Sequence, residues 1–211
     1  MVQKDILFFL EKINNCKPHV LGQKSFYSYS VLLPLINFDN NDVHIIFEKR
    51  AQHLRHQPGE ICFPGGRIEK DENSENAAIR EASEELNIDI REIKLIGPLD
   101  FFVPGSEMII YPYVGLIEKS ITDIVPNTSE VDEIFTVPLS YLLNVEPEIY
   151  TVNIQVQPEK DFPFHLIPNG KNYKWRHHSK KEYFYRYQDY VIWGMTARIL
   201  LEFLEKLKSA N

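Results

Sequence analysis

Glu81, Glu84 and Glu85 crowd three carboxylates into the run Arg80-Glu81-Ala82-Ser83-Glu84-Glu85-Leu86. On a helix, at about 100° per residue, Glu81 and Glu85 fall one turn apart on one face, with Glu84 beside them. Like charges at that spacing destabilise an isolated helix, so the arrangement calls for compensation. A divalent cation would supply it: hard cations such as Mg²⁺ take oxygen ligands, usually one or two carboxylates together with phosphate oxygens and waters. The competing account is a solvated acidic face, which carboxylate spacing alone does not exclude.

The surrounding residues weigh against the bland account. Gly66 and Glu72 precede Arg80-Glu81, and Asn87 and Ile88 follow Glu85. Gly66, Glu72, Arg80, Glu81, Ala82, Glu84, Glu85 and Ile88 resemble, at fixed spacing, the signature box of the Nudix hydrolases. Asn87 is the one departure, standing where the family usually has glycine. Asparagine is the usual substitute in the left-handed conformation that ends a helix, so the backbone path is expected to hold. The resemblance implies metal-assisted cleavage of a diphosphate with Mg²⁺ or Mn²⁺ as cofactor. Glu81 and Glu85 would be metal ligands, Glu84 a further ligand or orienter, and the Gly65 carbonyl another oxygen donor. Arg80 would pair with Glu72 and hold the loop–helix–loop rigid. The general base often lies outside the box in this family. Glu130 is favoured here over Glu133 and Glu107, and Glu60 is another residue within reach of the metal. His53 and His56 have metal-like spacing but read better as an exposed loop pair.

A second motif feeds into the first. Arg50-Ala51, Arg55, Gly59 and Phe63-Pro64-Gly65-Gly66 resemble the pattern that marks coenzyme A diphosphatases within the Nudix family. Where that pattern usually begins Leu-Leu-Thr, this chain has Ile46-Phe47-Glu48, which removes any role for the threonine hydroxyl. Ile192-Trp193-Gly194-Met195-Thr196-Ala197 looks like a further shared segment. The implied substrate is a small-molecule nucleotide of the coenzyme A type, with Arg50, Arg55 and Gly66 on the substrate side. Arginine offers a fixed fork of donors suited to phosphate, although a salt bridge to one of the many carboxylates is the alternative for either arginine. The basic run Lys171, Lys174, Arg176, His177, His178, Lys180 and Lys181 is a second phosphate candidate, weighed against a solvated loop. Competing functions are a Nudix hydrolase for another nucleoside diphosphate derivative such as ADP-ribose or NADH, a non-catalytic Nudix-fold module, and a structural protein with an acidic helix.

Composition narrows the partners. A net charge of −7 over 211 residues argues against nucleic-acid binding, which needs clustered Lys and Arg. No stretch is apolar for long enough to span a membrane, and the acidic N-terminal run is not a secretory signal. Two cysteines, Cys16 and Cys62, suit a reducing compartment, and Cys62 reads as a buried strand thiol. Lys208-Ser-Ala-Asn211 is not a peroxisomal address, so a cytoplasmic protein is expected. Oligomeric state stays open, a homodimer included.

The elements that must position these residues follow from periodicity. Leu7, Leu10 and Ile13 suggest a short amphipathic helix. Strands are expected at Tyr27–Ile36, Val43–Glu48, Ile61–Phe63, Ile93–Val103, Met108–Glu118 and Tyr150–Val156. The box helix should start at Asn73 or Ser74, and Leu139–Leu143 should form a helical turn. Residues 119–129 and 157–182 read as irregular, and Asp189–Leu207 as a closing helix. This order argues for an α+β domain over residues 1–211, for which the resemblance implies a Nudix-type α/β/α sandwich with a mixed sheet.

Overall fold

The computed structural model describes all residues except 1–5, 7, 9, 12, 15, 17–18, 39–41, 106 and 210–211. At its centre lies a seven-stranded mixed sheet, built from β1 (Tyr27–Asn37), β2 (Val43–Arg50), β3 (Ile61–Cys62), β4 (Gly65–Arg67), β5 (Ile93–Pro98), β6 (Met108–Ile117) and β7 (Val131–Pro138). The main path runs β3-β2-β1-β6-β5, with β4 paired to β1 and β7 to β2. β1 and β6 run parallel, Tyr27 beside Met108 through Ile36 beside Ile117; the other pairings are antiparallel. A second, three-stranded antiparallel sheet has β9 (His178–Tyr187) between β8 (Glu148–Ile154) and β10 (Tyr190–Trp193).

Helices cover both faces of the large sheet, which is why its central strands read as continuous apolar runs. Successive side chains point to opposite faces. Leu33, Ile45 and Phe47 therefore join one core with Leu142 of α2 (Leu139–Asn144) and Leu200, Phe203 and Leu204 of α3 (Gly194–Ser209). Leu32, Ile36 and Ile46 join a second core with Ala78, Ala82 and Leu86 of α1 (Ser74–Leu86). Each such Leu, Ile or Phe contributes about 1.5–3 kcal/mol on burial. Tyr185 and Ile192 of the small sheet are buried in the α3-side core. The expected α/β/α sandwich is the observed architecture.

The box helix is bounded as its sequence predicts. The Asn73 side chain caps the start by accepting from the Asn76 amide at 2.8 Å. Asn87 ends the helix at φ 52, ψ 52, the left-handed conformation.

Several expectations need correction. Val131–Pro138, left without an element, is β7, and Gly65–Arg67 is a strand. Of the expected strand Ile93–Val103 only Ile93–Pro98 is continuous. Beyond it Phe102 makes an isolated bridge to Ile110. Tyr150–Val156 shifts to Glu148–Ile154, and His178–Glu182, read as irregular, opens β9. The closing helix does not begin at Asp189: Tyr190–Trp193 is strand β10, and Gly194 at φ 64 turns the chain into α3. In the expected N-terminal helix Leu10 and Ile13 are helical and exposed; Leu7 lies outside the described residues.

Candidate active site

The site is assembled where β4 runs beside β1 and leads through a short loop into α1. A Cβ at Gly66 would stand 2.4 Å from the Glu81 carboxyl carbon, so glycine is what lets that carboxylate lie against the strand. One turn on, Glu85 is 3% exposed and accepts from the Gly65 amide at 2.8 Å. The acidic pair therefore faces the sheet rather than solvent. The small side chains Ala77, Ala78 and Ala82 on the same buried face let the helix approach that closely.

Arg80 sits at the rim and organises the loop. Its Nε and Nη2 donate to the two Glu72 oxygens at 2.9 and 3.0 Å, Nη1 donates to Glu81 at 2.8 Å, and Nη2 also reaches the Arg67 carbonyl at 3.2 Å. This is the expected Glu72 pairing, extended to one member of the acidic set. The Arg80 fork and the Glu69 amide hold the Glu72 carboxyl below the usual carboxylate range. Burial lifts Glu81 above its ordinary value, with Arg80 opposing.

Sequence reasoning treated Glu48 only as a departure from a motif, but it belongs to this site. Alternation along β2 sends Ile46 and Glu48 to the α1 side of the sheet. Glu48 is fully buried, and neither of its carboxylate oxygens has a hydrogen-bond partner. Burial first, and then the neighbouring Glu85, push its carboxyl well above the usual range. Burial likewise pushes Glu85 up to about 8, against the Gly65 amide, with Glu81 and Glu130 adding to the rise. Buried carboxylates this close are stable as anions only with a positive partner. Arg50 supplies part of that charge, and its Nε is itself buried without a hydrogen-bond partner. An oxygen-only donor set with unsatisfied carboxylate oxygens fits a hard divalent cation. Among the described residues no three His, Cys, Asp or Glu side chains already stand in metal-binding geometry.

The cleft in front of these groups measures about 630 Å³ and is lined by Arg50, Gly65, Gly66, Glu81, Glu85 and Glu130, among others. Glu130 is fixed by its backbone: its carbonyl accepts from Ala51 at 2.8 Å and its amide donates to Asn127 at 3.0 Å. Glu84 is exposed and pairs with Arg80 at 3.3 Å. Arg55 is exposed and is not part of the cleft wall. Glu60 and Glu133 line a different hollow, where Glu133 accepts from the Tyr190 hydroxyl and faces Lys49 at 3.8 Å. Glu107 lies outside the wall too. His53 and His56 are exposed, as expected, and His56 reaches the cleft edge. Cys62 is in β3 on the cleft wall, and burial raises its thiol pKa. Met195 and Thr196 bring the Trp193-Gly194 segment to the cleft, and the Thr196 hydroxyl donates to the Ile61 carbonyl at 3.1 Å. Of the basic run, Lys171, Lys174, Arg176 and His177 are exposed outside any strand, while His178, Lys180 and Lys181 lie in β9.

No helix of the described residues is long and apolar enough to cross a membrane. Among known proteins, mouse peroxisomal coenzyme A diphosphatase NUDT7 is 32% identical over 140 residues, 66% of this chain and 58% of that protein. Nudix hydrolase 3 of Caenorhabditis elegans is 30% identical over 183 residues, 84% of this chain and 72% of its own length. Peroxisomal coenzyme A diphosphatase ndx-8 of the same organism is 35% identical over 117 residues, 54% of this chain and 49% of the relative. This chain thus spans about half to three quarters of the length of these relatives. A MutT/nudix family protein from Enterococcus faecalis shares the fold at a TM-score of 0.51 and 13% identity, covering 96% of this chain and 69% of that one. The NUDIX domain model matches residues 27–155, which takes in the cleft carboxylates, the Arg80 fork and the sheet that carries them. By that match, over more than half of its length, the chain belongs to the Nudix family.

Proposed function

We propose that this Nudix hydrolase cleaves the diphosphate of coenzyme A or of an acyl or oxidised derivative. The products are 4′-phosphopantetheine, or its derivative, and adenosine 3′,5′-bisphosphate. One observation carries the reading: Arg50, the first residue of the arginine-bearing motif, stands in the wall of the same cleft as Glu81 and Glu85. The two relatives named as coenzyme A diphosphatases support the same substrate class.

Glu85, Glu81 and Glu48 would hold Mg²⁺ or Mn²⁺, with Glu84 and the Gly65 carbonyl as further candidates. When bound, the metal neutralises phosphate charge and lowers the pKa of a coordinated water. Arg50 presents its guanidinium to phosphoryl oxygens, where charge grows as the bond breaks. Gly66, on the cleft wall and without a side chain, lets the Glu81 carboxylate lie against β4. Arg80 fixes the Glu81 and Glu72 carboxylates, so they need not reorganise during the reaction. Glu130, on the cleft wall and with no side-chain ion pair among the described residues, is the candidate for removing a proton from water. Arg55 is left without a place in this scheme. Two free cysteines suit the reducing conditions of a cytoplasmic protein.

The test is incubation with Mg²⁺ or Mn²⁺ and a panel of nucleoside diphosphate derivatives, followed by product identification. Coenzyme A should give the two products above, and Glu85→Gln should abolish turnover with the fold intact. Strong cleavage of ADP-ribose without cleavage of coenzyme A would overturn the reading.

A further inference from the structure

Lys180 and Lys181 of β9 have no part in the cleft just described. They line a second hollow of about 420 Å³ at the start of α3, together with Phe102, Glu182, Met195 and Arg198. The two hollows meet at Met195, which lines both. In a chain of net charge −7, this hollow sets Lys180, Lys181 and Arg198 against a single carboxylate. That carboxylate, Glu182, is already engaged by Lys180 at 2.5 Å. Lys181 and Arg198 form no ion pair among the described residues.

Arg198 is held in place by Tyr183. The Arg198 Nη1 donates to the Tyr183 hydroxyl at 3.0 Å, and the guanidinium lies 5.2 Å from the centre of the Tyr183 ring. Tyr183 packs on the α3-side core. Alternation along β9 puts Lys181, two residues earlier, on the same side of the strand. Gly194 opens α3 with nothing within 4 Å of where its Cβ would stand. The first backbone amides of a 16-residue helix thus border the hollow with their positive end. A fork, a point charge and a helix terminus with no carboxylate partner suit a phosphate dianion. The apolar wall at Phe102 and Met195 suits the organic group that bears it.

We propose that Lys181 and Arg198 form a second phosphate subsite, which takes a phosphate monoester carried by the substrate away from the Glu48–Glu85 carboxylates. Resting on the coenzyme A reading, the group concerned is the 3′-phosphate of the nucleotide end. The subsite makes Arg198 and Lys181 residues of substrate specificity.

The experiment compares kcat/KM for coenzyme A and 3′-dephospho-coenzyme A, in Mg²⁺, for the wild type and for Lys181→Ala, Arg198→Ala and Arg198→Lys. In parallel, calorimetry compares adenosine 3′,5′-bisphosphate with adenosine 5′-monophosphate, a binding readout that needs no turnover. The wild type should prefer the 3′-phosphorylated ligand in both assays. Each alanine variant should cut that preference about tenfold, Arg198→Lys should cut it less, and Lys94→Ala on distant β5 should not alter it. An unchanged preference in both alanine variants overturns the subsite, as does wild-type binding of the bisphosphate no tighter than the monophosphate. Tighter bisphosphate binding that depends on Arg198, without cleavage of either coenzyme, would uphold the subsite and sink the proposed reaction.

Discussion

Glu85→Gln should abolish the reaction and, at neutral pH, make the chelator-treated protein more stable. Glu85 is 3% exposed, and burial pushes its carboxyl from the ordinary 4.5 up to about 8. A group whose pKa is raised by folding contributes stability that is present below 4.5 and is lost as pH rises through 8. The interval between 4.5 and pH 7, at about 1.4 kcal/mol per unit, puts the cost of that carboxyl at about 3 kcal/mol. Glutamine has nearly the same shape, keeps an oxygen for the Gly65 amide and cannot ionise. For a chain of this size 3 kcal/mol corresponds to about 6–12 °C in Tm. The assay is urea or thermal unfolding of both proteins in EDTA at intervals from pH 5 to pH 8. The two curves should nearly coincide at pH 5 and diverge at about 1.4 kcal/mol per unit toward pH 8. Saturating Mg²⁺ should raise the wild type far more than the variant, since only the wild type keeps its full set of acidic ligands. A stability difference that stays flat with pH, or a variant less stable than the wild type at pH 8, would refute the claim that Glu85 is a buried carboxyl held against its own preference.

Gly66→Ala brings a methyl group to 2.4 Å from the Glu81 carboxyl carbon. It should lower kcat/KM at least tenfold, the usual scale for a small misplacement of a reacting group, and weaken metal binding measured by calorimetry. Unaltered kinetics would mean that Glu81 does not need its place against β4. Asn87 ends α1 at φ 52, where glycine carries no Cβ penalty. Asn87→Gly should therefore leave stability within about 0.5 kcal/mol and Asn87→Ala should lose about 1 kcal/mol, read by urea unfolding. Equal losses in both would place the role of Asn87 in its side-chain bond to the Val125 carbonyl.

What the sequence made legible was local. The box helix could be bounded because its signals are neighbours in the chain: Asn73 supplies the cap, Asn87 the stop, and Ala78, Ala82 and Leu86 the buried stripe. The common face of Glu81 and Glu85 follows from helical spacing, and the Arg80–Glu72 pair from the resemblance of the box; that this face meets the sheet does not. Where the local signal was mixed, the reading failed. In β7, Val131, Phe135 and Val137 alternate toward the core, but Asp132 and Glu133 between them hide the period. In β10, Val191 and Ile192 also fit a helical stripe continuing into Met195 and Ile199. What separates them is the left-handed backbone of Gly194, a property of the fold that a glycine in the sequence permits but does not announce.

Glu48 marks the deeper limit. Along the chain it is one acidic residue at the end of an apolar strand, and against the motif it looks like a lost hydroxyl. Its chemistry depends on what it meets, and Glu85, 37 positions further on, is brought to it only because α1 covers the face of β2 that also carries Ile46. Two carboxylates so buried and so close would not sit together for the sake of the fold, since apolar side chains of the same size would pack there without the penalty of burying charge. Their retention in the core is most economically explained by a ligand that needs both. On the proposed reading, the substitution that seemed to remove a functional group from the motif would add an acidic oxygen donor behind Glu85.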